Sequence, residues 1–84
     1  MKHATPAALV QIEPLLGRLR AFAKIQERRP GVFYLRSRAF LHFHEDPAGL
    51  FADIRAPGAD DFTRLKVDDG AALVAMVSQA VGER

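Results

Sequence analysis

Apolar residues between Val32 and Val67 recur at every second position, and this alternation constrains the chain more than any other feature. A strand turns successive side chains to opposite faces, so period two marks half-buried β-structure. Four runs emerge, Val32–Arg36, Ala39–Glu45, Leu50–Arg55 and Phe62–Val67. The connections Ser37-Arg38, Asp46-Pro47-Ala48-Gly49 and Ala56-Pro57-Gly58-Ala59-Asp60-Asp61 are too short for parallel crossovers, which makes the middle of the chain an antiparallel meander.

The flanks carry a different period. Thr5-Pro6 reads as an N-cap followed by proline at the first helical position. Leu9, Ile12, Leu16, Leu19, Ala23 and Gln26 then follow at steps of three and four, with Leu15 and Phe22 widening the stripe. Pro14 breaks or kinks this helix near Glu13, and Arg28-Arg29-Pro30-Gly31 is expected to end it. After the meander, Asp68 is a candidate N-cap for a helix from about Asp69 to Val81, with Leu73, Met76, Val77 and Ala80 on one stripe and Gly82 as its stop. The expectation is one α+β domain over residues 1–84: N-terminal helix, four-stranded antiparallel sheet, C-terminal helix, with both helices on one sheet face.

Composition removes several classes of function. With 49% apolar and 26% charged residues the chain has the balance of a folded domain, and with no cysteine it has no disulfide, thiol nucleophile or thiolate-bound zinc. The segment MKHATPAALVQIE lacks a signal-peptide core and no apolar run is long enough to span a bilayer, so a cytoplasmic protein without a membrane partner is expected. A formal charge of +2 is a weak footprint for nucleic acid, which would have to rely on local clustering. Ser37 and Ser78 lie outside any nucleophile elbow, and Gly58 is a turn glycine rather than part of a phosphate loop; no catalytic residue and no cofactor are expected.

The stretch FLHFHEDPAGLFADIR raises the one chemical question. If Glu45 opposes Leu50, then Leu41, Phe43, Leu50, Ala52, Ile54 and Leu65 share the helix side. His42, His44, Phe51, Asp53, Arg55, Arg64 and Lys66 share the other, with a row of His42, Asp53 and Arg64 across it. Pro47 and Gly49 argue instead for a three-residue turn that slips the register by one. That slip would mix apolar and polar residues on both faces, so alternation is the better guide. Two histidines at i and i+2 project the same way about 6.5 to 7 Å apart, within reach of one metal ion. No third ligand is evident beyond Asp53, which reads better as a cross-strand partner of Arg64, so stoichiometric metal is not expected.

Phe40, Phe51 and Phe62, joined by Tyr34 if the first hairpin loop is odd, would leave an apolar patch on the outer face, interleaved with Arg36, Arg55, Arg64 and Lys66. The leading expectation is a non-enzymatic binding module that forms a homodimer through this face. Alternatives are a nucleic-acid or nucleotide binder using the same residues, and a metal-dependent enzyme or carrier using His42, His44 and Asp53.

Phe33-Tyr34-Leu35-Arg36-Ser37-Arg38-Ala39-Phe40 and Arg64-Leu65-Lys66-Val67-Asp68 resemble the small bacterial YjbR/MmcQ-type proteins over about residues 22 to 81. The resemblance implies an antiparallel sheet flanked by helices and a suggested affinity for DNA, and it supplies no catalytic residues. The basic turn here lacks the family's glycine.

Overall fold

The alternating segment folds as the core of an antiparallel sheet whose edges come from residues outside it. The computed structural model describes residues 2–68 and 70–82. In chain order the elements are β1 (Lys2–His3), α1 (Pro6–Val10), α2 (Glu13–Arg20), β2 (Ile25–Arg29), β3 (Val32–Leu35), β4 (Arg38–Asp46), β5 (Gly49–Ile54), β6 (Thr63–Lys66) and α3 (Gly70–Val81). Strands β2-β3-β4-β5-β6 lie side by side in sequence order, and β1 pairs with the distal part of β4. The protein is therefore α+β, with more strands than the four the alternation marks.

The helix starts follow their capping chemistry. Thr5 accepts from the Ala8 N–H at 3.3 Å with Pro6 in the first turn, and α2 begins beside Pro14 as expected of a proline that cannot continue α1. The expected start of the last helix at Asp69 lies outside the described residues. Gly82, at φ +72°, ends α3 by donating its N–H to the Ser78 carbonyl at 2.9 Å.

Helix does not continue to Gln26. Leu19, Phe22 and Ile25 satisfy a helical stripe, but Ile25 turns inward as the first residue of a strand paired with β3. Pro30-Gly31 is the turn of that hairpin. Gly31 adopts φ +73° and donates to the Glu27 carboxylate at 2.9 Å, and a Cβ there would lie 2.9 Å from Leu9 Cδ2. Glu27 also binds Arg20, so an ion pair on α2 helps hold the new edge strand.

The β4–β5 register is the one that keeps the faces unmixed: Glu45 opposes Leu50, His42 opposes Asp53, His44 opposes Phe51, and Asp53 opposes Arg64 on β6. Asp46 pairs with Gly49 across a two-residue turn, and its carboxylate accepts from the Ala48 N–H at 2.7 Å. The inner face, with Leu35, Phe43, Ala52 and Ile54, packs under Leu16, Leu19, Leu73 and Val77 of the helices in one apolar core.

Phe40 departs from the expected alternation. Phe33 pairs with Leu41 but Tyr34 pairs with Ala39, so Phe40 is the extra residue of a β-bulge. A bulge places two residues opposite one and breaks period two, which lets Phe40 and Leu41 both enter the core, at 2% and 0% exposure. Phe40 is therefore a core residue, not part of the outer face. The β3–β4 loop has two residues, Arg36 and Ser37, at φ 53° and 67°. Left-handed conformation costs a non-glycine residue roughly 1 to 2 kcal/mol.

Candidate metal centre on the outer sheet face

Because Leu41 and Phe43 point into the core, His42 and His44 between and beyond them project from the outer face. Strand β1 adds a third imidazole. His3 pairs directly with His44 across the β1–β4 ladder, and directly opposed residues share a face. The three rings form a cluster, with centroids 5.0 Å apart for His3 and His44, 4.5 Å for His42 and His44, and 5.9 Å for His3 and His42. One nitrogen from each lies within 4.8 Å of the other two.

Backbone pairing fixes this placement. The Ala4 N–H donates to the Phe43 carbonyl at 3.1 Å, and the Thr5 N–H donates to a Glu45 carboxylate oxygen at 2.7 Å. The latter bond holds Glu45 below the usual carboxylate range. Both tie the segment just after His3 to β4.

Asp53 underlies the cluster and is the buried charged residue of the described part, at 5% exposure. Arg64 grips it bidentately, Nε to Oδ1 at 2.8 Å and Nη2 to Oδ2 at 2.9 Å. This donation keeps the Asp53 carboxyl below its ordinary value despite burial, and raises Arg64 in return. His44 Nδ1 approaches Asp53 Oδ2 at 3.0 Å but off the hydrogen-bond axis, so the two are in electrostatic contact without a hydrogen bond. Nδ1 of His42 and of His44 is buried without a hydrogen-bond partner among the described residues. Burial, then the neighbouring His44, pushes His42 below 6.5, which favours its neutral form.

A ring of aromatic and guanidinium groups frames the site. Phe62 meets His42 edge-on at 4.8 Å, and Arg55 lies over Phe62 at 4.7 Å. Phe51 sits opposite both His44 and Lys66, and Lys66 is 4.0 Å from Asp68. Tyr34 is half-buried beneath Arg28.

The fold thus brings together His42, His44, Asp53, Arg55, Phe62 and Arg64, keeps Phe51 and Lys66 adjacent, and removes Phe40. His3 was the residue hidden from sequence reasoning; its one signal was a histidine just ahead of the Thr5-Pro6 cap, too short a stretch to show period. The pair therefore has a third imidazole beside it. No protein-family profile, curated protein or solved structure matches the chain. Among the described residues no helix is long and apolar enough to cross a membrane.

Chemically, three imidazoles suit zinc, copper, nickel or iron rather than magnesium or calcium, which prefer oxygen. Tetrahedral coordination with Zn–N of about 2.0 to 2.1 Å needs nitrogens about 3.4 Å apart, so rotations of about 1 Å at the ring tips close the cluster onto an ion. All three histidines stand on one sheet face.

Proposed function

We propose that this protein binds one transition-metal ion of the zinc class through His3, His42 and His44, as a binding domain rather than a catalyst. The observation that carries the reading is the convergence of three histidine nitrogens within 4.8 Å from two paired strands. Asp53 supports it electrostatically: its negative charge lies 3.0 Å from His44 Nδ1 and favours a cation at the cluster. The same residue argues against hydrolysis. Its hydrogen bonds to Arg64 hold its carboxyl below the ordinary value, which makes it a weak base toward a metal-bound water.

Cobalt(II) tests this directly. Titration of the native protein should develop the intense visible absorption of a low-symmetry cobalt site, saturating at one equivalent, and zinc should bleach it. An unchanged aqueous cobalt spectrum would overturn the reading.

Self-association through the same face is a second reading. It is favoured by Phe51 and Phe62, both of intermediate exposure beside the cluster, and weakened by the burial of Phe40. Sedimentation should show twice the chain mass for the native protein and a shift toward monomer for Phe51→Glu; a native monomer at high micromolar concentration would remove it.

A further inference from the structure

The end of the sheet where β3 turns into β4 carries a second cluster, which shares only Arg55 with the surroundings of the histidines. A cavity of about 190 Å³ opens there, lined by Arg36, Arg38 and Arg55 over an apolar floor that includes Leu35, Phe40 and Pro57. Three arginines line one small hollow, and no acidic residue lines it. Two other arginines do meet carboxylates: Arg20 lies between Glu13 and Glu27, and Arg64 grips Asp53. Arg36 and Arg38 have no acidic partner among the described residues. Arg55 is pre-oriented, since its guanidinium donates to the Ala39 carbonyl and stacks over Phe62.

Backbone strain points to the same place. Two-residue hairpin turns with both positions left-handed favour Asn-Gly or Gly-Gly, yet this turn is Arg36-Ser37 at φ 53° and 67°. Glycine would relieve the conformation at either position, and the charged residue at 36 carries the strain without a visible structural return. The bulge at Phe40 lies at the other end of the same hollow and supplies its floor. Arg36, Arg38 and Arg55 line the same hollow.

We infer that this hollow is a binding site for the phosphate group of a small phosphorylated molecule. Guanidinium forks match phosphate oxygens in paired hydrogen bonds, and a bound dianion offsets charges that nothing else in the hollow neutralises. The size restricts the ligand. Cavities for drug-sized molecules run from about 300 to 1,000 Å³, so this one takes a phosphate and a few attached atoms, with Phe40 and Pro57 against the apolar part.

The test pairs affinity with melting temperature. Inorganic phosphate and ribose 5-phosphate are titrated into the native protein at constant ionic strength, against Ser37→Gly and Arg36→Gly, both of which leave the histidines intact. Native protein should show a saturable rise in melting temperature with both probes and none with chloride. Ser37→Gly should melt higher and bind as well as native. Arg36→Gly should also melt no lower than native while binding phosphate about tenfold or more weakly, the loss expected for one charge-assisted contact. Equal phosphate affinity in native and Arg36→Gly proteins, or no saturable binding by native protein, would overturn the site. So would an affinity for single-stranded oligonucleotides that rises with length and that free phosphate does not compete, which would mark a nucleic-acid surface instead.

Discussion

The two faces of this sheet are built from alternate residues of the same strands, yet different forces hold them. On the inner face Phe33, Leu41, Phe43, Ala52 and Ile54 are at most 3% exposed and their partners are the apolar stripes of α2 and α3. On the outer face His42, His44 and Asp53 are held by charge, ring contacts and hydrogen bonds. Burial stabilises in proportion to apolar area and is indifferent to direction, whereas a histidine cluster over a paired carboxylate has a defined geometry and a definite sign of charge. The inner face therefore fixes the fold, and the ligand chemistry proposed for the outer face does not determine whether the chain folds.

Truncation on each face should separate the two most sharply. Phe43→Ala should destabilise by about 3 to 5 kcal/mol in chemical denaturation, as for a buried phenylalanine that leaves a cavity, while His44→Ala in metal-free protein should cost under about 1 kcal/mol. A larger loss for His44→Ala would mean that the outer face also holds the fold. Next in size is the linkage of metal to stability: zinc at a free concentration of 100 times its Kd should stabilise the native protein by about 2.7 kcal/mol, an increment that chelator removes and that His42→Ala lacks. Arg64→Met should follow. It strands the Asp53 carboxylate, whose side chain is 7% exposed, and calorimetry should show lower stability although no apolar core group is touched.

The smallest effect lies at the edge strand. Arg20 and the Gly31 N–H hold Glu27 below 4.5, so its contribution is present above that pH and lost as pH falls through its lower folded value. Glu27→Gln should therefore be the less stable protein near neutrality, with the difference shrinking below pH 4.5. A gap that widened in acid would contradict the assigned pair.

What could be seen in the sequence follows the same division. The β4–β5–β6 register was legible because a one-residue slip would have mixed polar and apolar groups on both faces, so the alternation alone places the row of His42, Asp53 and Arg64. Strand β2 was not, because Leu19, Phe22 and Ile25 fit a helical step and a polar edge strand has too few apolar residues to declare period two. Pro30-Gly31 stops a helix and turns a hairpin equally well. Phe40 was misplaced because a bulge costs one residue of register without a glycine to mark it. His3 lay beyond reach because a two-residue strand has no pattern of its own; only the ladder to His44 and Glu45 reveals where it goes.

The central claim is that His3 completes a site which His42 and His44 alone do not make. Calorimetric titration of zinc into chelator-stripped protein near pH 7.5, where imidazoles are largely neutral, measures it most directly. Native protein should bind one equivalent per chain, and His3→Ala, whose substituted residue is exposed and outside the core, should retain its fold by circular dichroism while losing more affinity than the roughly tenfold to hundredfold that loss of a group behind a ligand costs. Equal stoichiometry and affinity in the two proteins, or no zinc uptake by the native chain, would contradict the account.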